Sequence, residues 1–472
     1  VPTPNIIAYL VLALWPVVTY QLWKRLERGK ALIWTVLGGY LLLPPLTAFD
    51  VPVIPSLDKV TLPNLMALAC AVWLVKDRIS FVPKSWLGKG LILVYVLSPF
   101  GTVLTNGDPL VFIGTQINGM RIYDSLAAIS YQLIALMPFF LARRYLGNPE
   151  GARMILAALV VAGLAYSLPM IVEMVMSPQM NVWIYGFFQH DFFQTIRYGG
   201  YRPVVFLPHG LWVAFFAFMA VAAAAASLRN LPAEVRPKAM VVLLYLVAML
   251  ILCRSAGPIV YAIALVPLIL LAPSRWQLFF AAAMALIVVS YPVLRGAHLV
   301  PVDQILAFAD NLSPDRAYSL RFRIQNEEIL LARAQERPIF GWGGYGRAFT
   351  HDPVTGQQLN IADGAWVILL GNYGWAGYIT EFGLFALPLF LLGREALRQR
   401  KINLSPWVGA LALILGANMM DLLPNATQIP FTWLMAGALL GEAERLSQMR
   451  AETLAKRRRE GLHAGKPLKT VI

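Results

Sequence analysis

The 472-residue chain is 58% hydrophobic, only 14% charged, and has a mean hydropathy of +0.63. A soluble chain carries about 25% charge, so a soluble globular protein is excluded. Continuous apolar runs of about 17–22 residues fit spanning helices, and their lack of alternation excludes a β-barrel. The net charge of +14 points to basic loops against anionic lipid and not to nucleic acid.

In chain order, spanning helices are expected near residues 6–22, 31–48, 61–75, 90–104, 126–141, 154–175, 204–227, 239–252, 257–272, 277–294, 366–391, 406–420 and 431–441. The expected fold is an all-α polytopic integral membrane protein of about 12–13 transmembrane helices with one large helical periplasmic loop. The parts are a first bundle segment at 1–294, the loop at 295–365, a second bundle segment at 366–441 and a basic cytoplasmic tail at 442–472. The first run, Ile6–Tyr20, lacks a preceding basic stretch and is followed by Lys24-Arg25. It reads as a span with its N-terminus outside and not as a cleaved signal. Lys24, Lys30, Lys76, Lys84, Lys89, Lys238, Lys401, Lys456, Lys466 and Lys469 fall in alternate, inner loops, and only Lys59 falls outside. Cys70 and Cys253 lie in or beside apolar runs, and the five histidines have no ligand spacing. No metal or cofactor is expected.

The arginines break the lysine pattern. The outer loop holds Arg295, Arg316, Arg321, Arg323, Arg333, Arg337 and Arg347 and no lysine. Guanidinium forks grip phosphate oxygens in pairs, which ammonium groups do not, so the loop points to a phosphorylated or diphosphorylated substrate. Within it, Ser313-Pro314-Asp315 offers a helix start, and Ser319–Glu336 reads as an amphipathic helix. Leu320, Ile324 and Leu331 share one side of it, and Arg323 is set to pair with Glu327 at i,i+4. Gly341-Trp342-Gly343-Gly344-Tyr345-Gly346 is a tight turn with neither a P-loop lysine nor a preceding strand.

Further motifs surround the loop. Arg254, in Cys253-Arg254-Ser255, sits between two apolar runs. It either snorkels to headgroups or binds an anion in a cavity. Arg197 and Arg202 flank Tyr198-Gly199-Gly200-Tyr201, which is either an interfacial loop with aromatic anchors such as Tyr185, Phe187 and Phe188 or a phosphate or sugar contact where glycines permit close backbone approach. His209 is a helix-start or a catalytic histidine, and Asp363 is a general base or the N-cap of the next span. Glu327, Glu328, His351 and Asp352 are rival bases.

Ser319-Leu320-Arg321-Phe322-Arg323 and Glu336-Arg337-Pro338-Ile339-Phe340-Gly341-Trp342-Gly343 together resemble the O-antigen ligase/polymerase superfamily. Cys253-Arg254-Ser255 is similar to that family's intramembrane Ser-Arg-Gly neighbourhood, and Arg202 to His209 to its earlier arginine motif. The resemblance covers roughly residues 195–390. It departs where many members carry His-Asn before the span after the loop, because this chain reads Ala362-Asp363-Gly364. It implies a metal-independent glycosyltransferase of the bacterial inner membrane. The donor would be a glycan on undecaprenyl diphosphate, the acceptor a hydroxyl on a glycan, lipid or protein, on the periplasmic side. Arg197, Arg202, Arg254, Arg321 and Arg323 would hold the diphosphate, and Asp363 or His209 would act as base. The competing class is a transporter or flippase of lipid-linked or anionic substrates, although no internal repeat is visible.

Overall fold

The computed structural model describes residues 3–50, 55–197, 199–312, 314–398 and 404–463. Tyr198, Ser313, Lys401, Lys466 and Lys469 lie outside the described residues, as do the side chains of Asp315, Arg316, Ser319 and Arg457–Arg459. The chain is mostly helix. The first helices are α1 (Ile6–Arg25), α2 (Arg28–Leu42), α3 (Thr61–Ala69, prolonged by a π-helical turn Cys70–Leu74), α4 (Trp86–Leu104) and α5 (Ile122–Tyr145). Next come α6 (Pro149–Met176), α7 (Met180–Tyr185), α8 (Gly210–Asn230), α9 (Arg236–Leu252), α10 (Ala256–Leu271) and α11 (Ser274–Gly296). The chain closes with α12 (Val302–Leu312), α13 (Pro314–Gln335), α14 (Ala365–Arg398), α15 (Pro406–Asp421) and α16 (Pro430–His463). Two hairpins of two-residue strands, Leu110–Val111 with Gln116–Ile117 and Ile196–Arg197 with Gly200–Tyr201, are the sheets among the described residues.

Seven helices (α1, α4, α5, α6, α8, α11 and α14) are long and apolar enough to cross a membrane. The expected spans and the helices differ by a few residues at many ends, and three differences bear on the architecture. The second helix stops at Leu42 and not near 48, and α8 starts at Gly210 and not near 204. The basic tail does not leave the bundle at Gly441, because α16 continues as helix to His463. Early in that continuation Glu444 accepts from Arg143 of α5 at 2.8 Å, while Glu395 of α14 accepts from Arg450 at 2.9 Å.

The helices assemble into a bundle with two distinct ends. At one end lie the α7–α8 connection, the start of α10, the α12–α13 loop and the α15–α16 turn, which share a cavity. At the other lie the α1–α2 corner, the π turn after α3 and the end of α5, which share a second cleft.

The loop after α11 is anchored by a broken helix. Gly374 has φ 60° and ψ −161° inside α14, which interrupts the helical ladder there. The freed backbone groups pair with the glycine-rich turn. Trp342 and Gly343 N–H donate to the Gly371 and Asn372 carbonyls at 2.8 and 2.9 Å. In return, Trp375 and Ala376 N–H donate to the Pro338 and Ile339 carbonyls at 2.7 and 3.0 Å. A Cβ on Gly374 would stand 2.5 Å from the Ile339 backbone, and one on Gly341 (φ 68°) 2.5 Å from Asn372. The glycine-rich turn therefore docks the loop by completing the hydrogen bonding of a neighbouring helix.

Gly374→Ala and Gly341→Ala should each lower the unfolding temperature of the detergent-purified protein. A positive φ alone costs an L-residue about 1–2 kcal/mol, and the backbone overlap adds to it. Unchanged melting curves for both variants would contradict this anchoring.

Candidate functional site

The bundle end holding the α12–α13 loop contains a cavity of about 820 Å³. Arg197, Arg202, Arg254, Arg323, His209 and Asp363 all line it, with Ser255, Trp212, Leu320 and Asn425 among their neighbours. Five separate stretches of sequence converge here, and each has its own local cause.

The first is an extended segment between α7 and α8. Residues Arg202–Leu207 are buried and non-helical, so their backbone groups need side-chain partners. Glu173 of α6 accepts from Val204 and Val205 N–H at 2.7 and 2.8 Å, and from Met180 N–H at 3.0 Å. Tyr166 Oη accepts from Phe206 N–H at 3.1 Å. Gln189 Nε2 donates to the Val205 and Leu207 carbonyls, and Lys59 Nζ donates to the Phe206 carbonyl at 2.8 Å. Under this clamp Val205 is held at φ 52°, a strained conformation for a β-branched residue. The segment aims Arg202 inward, 3% exposed, where its Nη2 donates to Ser255 Oγ at 2.7 Å.

The second stretch joins α9 to α10. Arg254 sits at φ 53° and carries its guanidinium over the Ile196–Tyr201 hairpin, donating to the Arg197 carbonyl at 2.6 Å. Gly200 lies directly beneath it, where a Cβ would stand 2.3 Å from Arg254 Nη2 and push the guanidinium aside. Arg254 thus takes the cavity-facing position of the two that its sequence allowed. α10 also begins here, with Ser255 and Ala256 in the wall, and a helix N-terminus favours an anion.

The third and fourth stretches meet across the loop. Arg323 of α13 lies 3.1 Å from Asp363, which precedes α14. The expected i,i+4 pairing of Arg323 with Glu327 gives way to this ion pair. Asp363 is engaged with Arg323, while the Ala365 N–H at the start of α14 donates to the Asn425 carbonyl at 3.1 Å. The fifth stretch is the α15–α16 turn, held by buried Asp421, which accepts from Thr427 Oγ1 at 2.6 Å and Asn425 Nδ2 at 3.1 Å.

His209 occupies the helix-start role. It is the N-cap of α8, and its Nδ1 accepts from Leu211 N–H at 2.9 Å. Burial, then His190 and the cavity arginines, push its pKa down to about 3. A neutral ring whose Nδ1 is an acceptor carries its proton on Nε2. His209 therefore offers the cavity an N–H donor, and its lowered pKa disfavours it as a proton acceptor.

Most loop arginines have other work. Arg321 pairs with Asp310 at 3.1 Å and is not among the residues lining the cavity, so the structure does not bring it together with the other expected diphosphate ligands. Arg295 is buried against Glu328 at 3.0 Å. Arg347, fully buried, donates to the Trp342, Asn118 and Asp108 carbonyls at 3.2, 2.9 and 2.9 Å. Arg333 and Arg337 stack on the Trp342 ring, 3.3 and 4.3 Å from its centroid, and Arg337 also donates to the Thr105 carbonyl. Of the rival bases, His351 packs on Phe112 and Asp352 accepts from the N–H groups of its own turn. Glu327 is closer to the site. Burial pushes its carboxyl up to about 7, partly offset by the Trp366 indole, Arg295 and Arg323. Sequence reasoning missed Ser255, Asn425 and the Glu173 clamp, whose contacts join distant segments.

Four guanidinium groups thus face one carboxylate across the cavity, with a neutral histidine between helix starts. Such a wall is electrostatically suited to a polyanion and to negative charge building on it. Neither a protein-family model nor a curated protein matches the chain.

Two outcomes follow. Arg323→Ala should weaken pyrophosphate binding by calorimetry on the order of tenfold or more, the value of one or two charge-assisted hydrogen bonds, whereas Arg321→Ala should not change it. The second concerns Glu327, whose folded pKa exceeds its unfolded one. Its contribution favours folding while protonated and is lost as pH rises from about 4.5 through about 7. Glu327→Gln should flatten thermal stability across that window, and an unaltered pH profile would contradict the burial argument.

Proposed function

We propose that the protein is an integral-membrane glycosyltransferase that moves a glycan from undecaprenyl diphosphate to an acceptor hydroxyl. The observation that carries this reading is the convergence of Arg197, Arg202, Arg254 and Arg323 with Asp363 on one cavity at one end of an apolar helical bundle. The resemblance of Ser319–Arg323, Glu336–Gly343 and Cys253-Arg254-Ser255 to the O-antigen ligase/polymerase superfamily supports it.

The seven long helices, with α2, α3, α9, α10, α15 and α16, make thirteen crossings in this reading. Lys24, Lys30, Lys76, Lys84, Lys89 and Lys238 lie toward the far end, and Lys59 is the exception, buried at the cavity end. That bias supports a reading in which the cavity and the α12–α13 loop face the periplasm and the end of α16 the cytoplasm of a bacterial inner membrane.

In the reaction the acceptor oxygen attacks the anomeric carbon. The bond from that carbon to the phosphate oxygen breaks, and its electron pair leaves with the lipid diphosphate. The cavity arginines and the His209 Nε2–H stabilise the charge gathering on the leaving oxygens. Asp363 takes the acceptor proton, and its ion pair with Arg323 couples the base to the group that holds the phosphate. The polyprenyl chain enters sideways between helices, and the acceptor is another lipid-linked glycan, as in a polymerase, or a lipid or protein anchor, as in a ligase.

The test is incubation of purified protein with a lipid-diphosphate oligosaccharide. A ladder or a single capped product is expected. Arg254→Ala and Arg323→Ala should each reduce transfer by about 10²–10³, and Asp363→Asn by about 10²–10⁴, in proteins that still insert and melt normally. Wild-type turnover in both arginine variants would overturn the reading. Movement of the glycolipid across a vesicle with no new covalent product would assign a transporter instead.

A further inference from the structure

The far end of the bundle holds a second built feature. A groove of about 520 Å³ runs between α2, α6, α8 and α9. α8 starts at the cavity with His209 and finishes beside this groove, so the two features lie at opposite ends of the same helix. The groove walls are apolar, with Ile33, Met154, Ala157, Ala224 and Val242 among them, and Trp34 and Trp407 also line it. It continues onto an outward apolar face. Val161 is 53% exposed, and Val241 and Leu244 of α9 are exposed beyond it.

Its rim is cationic in an unusual way. Lys30, Arg153 and Lys238 line the groove near the first turns of α2, α6 and α9. Helix N-termini already carry positive potential, and cations there are electrostatically unfavourable. Neither α2 nor α9 has an acidic residue in its first turn. Glu150 neutralises Arg153 at 2.8 Å, and Glu27 stands 3.8 Å from Lys30. Lys238 adds to the helix starts a further charge for a ligand to meet.

We propose that this groove binds an anionic phospholipid. An acyl chain lies along the Ile33–Val242 walls, the phosphate sits among Lys30, Arg153 and Lys238, and the two tryptophans mark the headgroup level. A water-soluble anion would use the rim and leave the apolar walls wet. A neutral lipid would fill the walls and offer no negative charge to Lys238 and the helix starts beside it. The occupant that satisfies both is a lipid with a negative headgroup. The inference is independent of the glycosyltransferase reading, because its readout is bound lipid.

The experiment is native mass spectrometry of the full chain, exchanged through detergent containing equimolar phosphatidylglycerol and phosphatidylcholine with identical acyl chains. Wild type should retain phosphatidylglycerol in preference. Lys30→Ser with Lys238→Ser should cut that preference by about tenfold or more. Ala157 is exposed in the groove, so Ala157→Trp should block the acyl seat and abolish retention without altering the melting temperature. Equal retention of both lipids by wild type would overturn the proposal. So would a preference untouched by the lysine pair, or retention that survives Ala157→Trp.

Discussion

A backbone that leaves the helix inside an apolar bundle must find its hydrogen bonds among side chains. The cavity is arranged around the way residues 202–207 meet that demand. An unsatisfied buried peptide group costs several kcal/mol away from water. Glu173, Tyr166, Gln189 and Lys59 together receive or supply bonds to Val204, Val205, Phe206 and Leu207. Burying a carboxylate and an ammonium group is itself expensive, and each is retained here with hydrogen bonds to the backbone. The gain is geometric. Arg202 enters the wall on a segment that cannot fray, and α8 opens at His209 with its first turn toward the cavity.

The same logic explains why arginine is abundant at this end. A guanidinium has several donors in a fixed fork, which suits carbonyl oxygens as well as phosphates. Arg347 spends its fork on three carbonyls and becomes a buried strut between the loop, Asn118 and Asp108. Arg333 and Arg337 fix Trp342, the residue that docks the loop on the α14 break. Arg323, Arg254, Arg202 and Arg197 instead face open volume. One residue type thus builds the frame and lines the site.

Much of this was legible in the sequence. Apolar runs located the long helices, and the positions of Arg197, Arg202, Arg254, Arg323 and Asp363 identified segments that do come together. What stayed hidden was partner choice. Local spacing pairs Arg323 with Glu327, but the fold brings Asp363 to 3.1 Å. Local pattern runs a helix from 204, but Glu173, 31 residues earlier, captures the 204 and 205 amides. Arg321 and Arg323 look alike in sequence, two positions apart. On a helix that offset turns one toward the cavity and the other toward Asp310. Charge and periodicity are local signals, whereas a binding wall is defined by contacts across the chain.

The loop helix α13 carries Arg323 into the wall, and its position is determined from three directions. Behind it, the 338–343 turn is hydrogen-bonded into the α14 break. Along its length, Arg295 of α11 holds Glu328, and Asn326 Oδ1 accepts from Ile361 N–H at 3.0 Å. In front, Arg323 holds Asp363. Only the last of these contacts is made by groups that line the cavity. An anion entering there competes with Asp363 for the same guanidinium while the other two attachments remain in place. The charge balance at the Arg323–Asp363 pair can therefore change while the other two attachments still hold the helix.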